Sequence, residues 1–162
     1  MIKMKKISFL LLTMALFAVT AYGCNSSKGG NEKSGASGGN DEAKIEFLTK
    51  ETFKQKIWDY EKNPRTWVYE GDVPAIIDFY ADWCRPCRMA SPILEELSVE
   101  YAGKIKIYKI DTQVERELAS VFQISSIPAF LYIPMKGQPT MDKGLKDKAT
   151  FIKIIEQILL KK

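Results

Sequence analysis

The stretch AIIDFYADWCRPCRM, residues 75–89, decides how the rest of the chain is read. Its first part, Ala75 to Tyr80, is an almost unbroken apolar run with one acid, Asp78, inside it. Such a run suits a strand covered on both faces in the middle of a sheet. Two cysteines follow at once, Cys84 and Cys87, with Pro86 between them, and helical periodicity then runs to about Tyr101 through Met89, Ile93, Leu94 and Leu97. The stretch therefore reads as a buried strand turning into a helix, with a Cys-x-x-Cys pair at the turn.

On the N-terminal side, Ile45 to Leu48 reads as a short strand. Thr49 can cap a helix over residues 50–62, where Phe53, Ile57, Trp58 and Tyr60 recur at helical spacing. The segment NPRTWVYEGDVP, Asn63 to Pro74, is rich in turn residues and is expected to be a loop outside the core. On the C-terminal side come a strand from Lys104 to Ile110, a short helix from Glu115 to Phe122, a strand in AFLYIP, and a turn at Lys136-Gly137. A short strand to Gly144 and an amphipathic helix from about Lys148 to Leu160 complete the chain. The order β, α, β, α, β, α, β, β, α calls for an α/β fold, a parallel sheet with right-handed crossovers and an antiparallel hairpin at one edge.

A Cys-x-x-Cys pair can be half of a zinc site, a haem attachment point, a redox dithiol or a structural disulfide. The chain has no histidine and only three cysteines, so the haem motif and mixed Cys/His zinc sites are ruled out, as are catalytic triads with a histidine base. No metal is expected. Position favours redox chemistry over a structural bridge. Cys84 falls where the unpaired N–H groups of a helix's first turn stabilise a thiolate, and Cys87 one turn later can attack it. Pro86 suits that first turn because its missing N–H would have no partner there. On this reading Cys84 is the exposed nucleophile and Cys87 the shielded resolving thiol.

The beginning of the chain is different in kind. Residues 1–23 have a basic start (Lys3, Lys5, Lys6) and an apolar run from Ile7 to Val19, the shape of an export signal; an uncleaved anchor helix is the alternative. Residues 24–43, rich in Gly, Ser and Asn and nearly devoid of apolar residues, cannot bury enough surface to fold and read as a flexible tether. With Cys24 at the junction, the whole resembles a bacterial lipoprotein signal, which implies a lipid on Cys24; plain signal cleavage or a free thiol remain alternatives. Removing the three signal lysines from 24 basic residues leaves 21 against 20 acidic ones, a near-neutral remainder that offers no nucleic-acid footprint.

Residues 44–162 resemble a complete thioredoxin domain, carried by DFYADWCRPCRM, by SSIP at 125–128, by Pro92 within the helix and by Gly144 after a strand. The resemblance implies a thioredoxin fold, a central mixed β-sheet flanked by helices on both faces. It is nearest to the exported, periplasmic thioredoxins of bacteria. It assigns Asp78, six residues before Cys84, as the buried acid that helps deprotonate Cys87. Lys109 matches the lysine that lies near that acid. Pro128 matches the family's cis-proline opposite the cysteines, and Ile127, Trp83, Arg85 and Pro86 are placed against the substrate. Arg85 and Ser126 stand where many thioredoxins have glycine, so the contact surface is expected to be more crowded and more polar.

The implied activity is thiol–disulfide exchange on protein disulfides by a Cys84/Cys87 couple, in the cell envelope, by a monomer with no other cofactor. With no nicotinamide or flavin motif, electrons are expected from a membrane thiol donor. An oxidase or isomerase on the same fold is the alternative, since potentials on this scaffold run from about −270 to about −120 mV. A non-catalytic binding or chaperone module is a further one.

Overall fold

A computed structural model describes residues 44–161. The expected export signal over residues 1–23, the tether over 24–43 and the lipid on Cys24 lie outside the described residues. Five strands, β1 (Glu46–Phe47), β2 (Ala75–Tyr80), β3 (Lys106–Asp111), β4 (Ala129–Ile133) and β5 (Thr140–Lys143), form one sheet in the order β1-β3-β2-β4-β5. β1 and β2 run parallel to β3, while β4 is antiparallel to β2 and β5 to β4. The sheet is thus mixed, with the hairpin at one edge, and β2 lies at its centre as its apolar run requires.

The helices are α1 (Lys50–Lys56), α2 (Arg85–Glu100), α3 (Arg116–Val121) and α4 (Lys148–Ile154), the last continuing as a π-helical segment, Ile155–Leu159. Alternation along the strands divides the core in two. Ile77, Phe79, Ile110 and Leu131 pack with Phe53 and Ile57 from the α1 region and with Leu118 of α3. Ile76, Ile107, Phe130 and Tyr132 pack with Leu94 and Leu97 of α2 and with Phe151 and Ile155 on the other face. Each large side chain buried in this way stabilises the fold by about 1.5–3 kcal/mol. Asp78 and Lys109, directly paired in the β2–β3 register, belong to the second face.

Two expectations are corrected here. The first helix stops at Lys56, not at residue 62. Ile57 and Trp58 both donate to the carbonyl of Phe53, and the returning chain seals that end through Glu70 N–H to Ile57 O at 3.0 Å. The helical spacing of Trp58 and Tyr60 was coincidental: beyond the helix end the two rings pack on each other, Tyr60 also against Phe53 and Trp58 against Trp67 and Phe122. Nor is the Asn63–Pro74 segment outside the core. Trp67 and Tyr69 are half-buried against the α1/α3 face, and the Trp58 and Trp67 rings lie 5.1 Å apart.

Candidate active site

The connection from β2 to α2 is short, and it delivers Cys84 to the N-cap of the helix with φ −75° and ψ 103°. Cys84 N–H donates to Ala81 O at 3.0 Å, and Cys87 N–H donates to Cys84 Sγ at 3.2 Å. The sulfur therefore faces the helix's unpaired amides, the environment that stabilises a thiolate. Cys84 and Cys87 are joined by a disulfide, with Cα atoms 5.3 Å apart. Pro86 occupies the first turn, and Pro92 lies further along the same helix.

The expected contrast between an exposed Cys84 and a shielded Cys87 is not one of exposure. Bonded to each other and packed against Tyr80, Ala81 and Ile127, the residues are 2% and 1% accessible. What separates them is direction. Cys84 lines a groove of about 450 Å³ together with Trp83, Arg85 and Pro86 on one side and Ile124, Ser125, Ser126 and Ile127 on the other, whereas Cys87 is not part of its wall.

Trp83 is 66% exposed beside the groove. Arg85 is exposed and forms no ion pair among the described residues. The Ile127–Pro128 peptide is cis, and Ile127 has no backbone hydrogen-bond partner among the described residues. Pro128 is buried and anchored through its carbonyl, which accepts from Gly144 N–H at 2.8 Å; Gly144 itself has φ +85°, the left-handed region that favours glycine.

On the sheet face toward α2, Asp78 is wholly buried, and neither carboxylate oxygen accepts a hydrogen bond among the described residues. Burial pushes its pKa up to about 6, with the nearby Lys109 charge pulling the other way. Lys109, itself 8% exposed, brings Nζ to 3.5 Å from Asp78 Oδ2, an ion-pair distance too long for a hydrogen bond. That nitrogen instead donates to Ser91 Oγ at 2.6 Å and lies 4.6 Å from the centre of the Tyr80 ring. Ser91 Oγ donates in turn to the carbonyl of Cys87 at 3.2 Å. Asp78 is thus linked to the inner cysteine through Lys109 and Ser91.

Sequence reasoning missed Ser91, Tyr80 and Ser125. The first had a signal, since it stands four residues after Cys87 and so on the same helix face. The others are joined to the site only by the fold: Tyr80 by the β2–β3 pairing, and Ser125, whose Oγ accepts from Lys143 of β5 at 2.8 Å, by the loop before β4.

A strand–Cys-x-x-Cys–helix turn facing a cis-proline loop, above a buried acid and lysine, is accompanied by a match at the level of the whole domain: the thioredoxin family model matches residues 44–157. The chain belongs to the thioredoxin family. It is similar to a thioredoxin of Borreliella burgdorferi, 46% identical over 109 residues that make up 67% of this chain and 92% of that one. Thioredoxin 1 of a Nostoc species is 35% identical over 112 residues, 69% of this chain and 94% of the relative. Among solved structures, chloroplastic thioredoxin z superposes with a TM-score of 0.60 at 27% identity, covering 71% of this chain and 94% of that chain. The protein is a thiol–disulfide oxidoreductase that reduces protein disulfides, and the Cys84–Cys87 disulfide is its redox group.

Proposed function

We propose that this thioredoxin works in the cell envelope as a monomer, tethered to a membrane by a lipid on Cys24 and supplied with electrons by a membrane thiol donor. The leader carries the envelope reading: a basic start, an apolar run, Cys24 and a polar tether stand ahead of residue 44, where the family match begins. No helix among the described residues is long and apolar enough to cross a membrane, so within this reading attachment falls to the leader. Expression in a bacterial host with a radiolabelled fatty acid tests it. The protein should take up label and sediment with membranes, and Cys24→Ser should abolish both; a soluble, unlabelled protein with Cys24 intact contradicts the reading.

The assignment of roles rests on one observation, that Cys84 lines the groove at a helix N-cap while its partner stands behind it. The Cys84 thiolate attacks one sulfur of a substrate disulfide, forming a mixed disulfide and releasing the other sulfur as a thiolate. Cys87 gives its proton to the Asp78 carboxylate and attacks Cys84 Sγ. The Cys84–Cys87 bond forms, the mixed disulfide breaks, and two electrons have passed to the substrate. A carboxyl with a pKa near 6 holds or releases a proton close to neutrality, which suits it to serve a thiol. Trp83 and Pro86 on one wall and Ile127 on the other form an apolar seat for the peptide, and the unpartnered backbone of Ile127 can pair with an extended substrate as an added strand. Lys109 tunes Asp78. Two electrons from an external dithiol return the disulfide to the reduced form. Turnover of an insulin disulfide across pH 5–9 tests the Asp78 role: Asp78→Asn should lose the limb near pH 6, and an unchanged profile contradicts it.

A further inference from the structure

We propose that Ser91 is a positioning residue that holds the Lys109 ammonium away from Asp78 and ties it to the Cys87 end of α2. Ser91 has one hydroxyl proton, and the geometry uses it fully: Oγ donates to the carbonyl of Cys87 at 3.2 Å and accepts from Lys109 Nζ at 2.6 Å. The shortest contact of the ammonium is therefore with a neutral oxygen, although an anionic one lies 3.5 Å away. Both Asp78 oxygens are left without a hydrogen bond among the described residues, in a buried site. Such a carboxylate feels the Lys109 charge but lacks the donor that would hold it in its ionised form.

Without the Ser91 hydroxyl, the strongest acceptor within reach of the ammonium is Asp78. The pair then closes, and the carboxylate becomes a poorer acceptor for a thiol proton. Ser91 thus sets how strongly Lys109 acts on Asp78, and through it the pH at which Cys87 is activated. This last step rests on the reading of Asp78 as the acid–base partner of Cys87.

The carboxyl signal of Asp78, followed by carbon-13 NMR in the oxidised protein, tests the proposal independently of turnover. The titratable groups that interact with Asp78 are Lys109 from β3, Tyr132 from β4 and Tyr80 on its own strand. Both tyrosines are held above their usual range by burial, and the bonded cysteines do not titrate, so the signal between pH 4 and 8 reports Asp78. Ser91→Ala should lower its midpoint by about one pH unit. Ser91→Thr, which keeps the hydroxyl, should leave it in place. In a Lys109→Met background Ser91→Ala should shift nothing. A midpoint that stays or rises in Ser91→Ala, or an equal fall without Lys109, overturns the proposal. Failure of the acid–base reading shows up elsewhere, as an Asp78→Asn turnover profile that keeps the limb near pH 6, and leaves the Ser91 result standing.

Discussion

Lys109 Nζ stands 3.5 Å from Asp78 Oδ2, across a direct register pair of the two central parallel strands. The lysine charge at this distance offsets part of the cost of burying a carboxylate but not all of it, because the Asp78 pKa still rests near 6 against 3.8 for the free side chain.

That residue of uncompensated burial has a stability consequence. The folded state binds the Asp78 proton more tightly than the unfolded state does, so the contribution favouring the fold is complete below pH 3.8 and is lost as pH rises through 6. A shift of this size corresponds to an order of 3 kcal/mol. Asp78→Asn should therefore stabilise the oxidised protein at pH 7.5 by up to about 3 kcal/mol, less what Lys109 loses with its partner, and by almost nothing at pH 3.5. Urea unfolding at the two pH values checks this, and equal effects at both would contradict it.

Arg85 is exposed next to the attacking sulfur, without a counter-ion among the described residues. Its charge favours the thiolate form of Cys84 and hence the reduced state of the couple. Arg85→Gly should make the reduction potential more negative by about 10–20 mV in equilibrium with glutathione, and the difference should shrink as salt is added. An unchanged potential at low salt would mean that water screens the charge completely.

Trp67 joins the Asn63–Pro74 loop to the core through its stack on Trp58, on the face remote from α2. Trp67→Ala should destabilise the fold by about 3 kcal/mol and leave the reduction potential unchanged. Thermal unfolding and the glutathione equilibrium, measured on one sample, separate the two effects.

Much of the fold was legible because β2 and α2 carry strong, uninterrupted signals: a solid apolar run, then Ile93, Leu94 and Leu97 at helical spacing with Pro86 at the start. The alternation that followed fixed the mixed sheet. Where reading failed, tertiary packing overrode local pattern. Trp58 and Tyr60 continue a helical period on paper, but the returning loop closes the helix after Lys56 and draws both rings into an aromatic cluster with Trp67. At the site, the cysteines, Asp78 and the cis-proline loop could be located from motifs. The bond from Lys109 to Ser91 could not, because it joins residues 18 apart on two elements whose facing depends on the sheet register.

The most direct test of the central claim is insulin disulfide reduction by the purified protein with dithiothreitol as electron source, run beside Cys84→Ser and Cys87→Ser. The unmodified protein should accelerate insulin precipitation well beyond dithiothreitol alone. Cys84→Ser should show no acceleration, and Cys87→Ser, mixed with insulin in its reduced form after dithiothreitol has been removed, should hold insulin covalently on Cys84 as a reducible mixed disulfide. Acceleration that survives Cys84→Ser, or a mixed disulfide formed on Cys87 instead, would contradict the account.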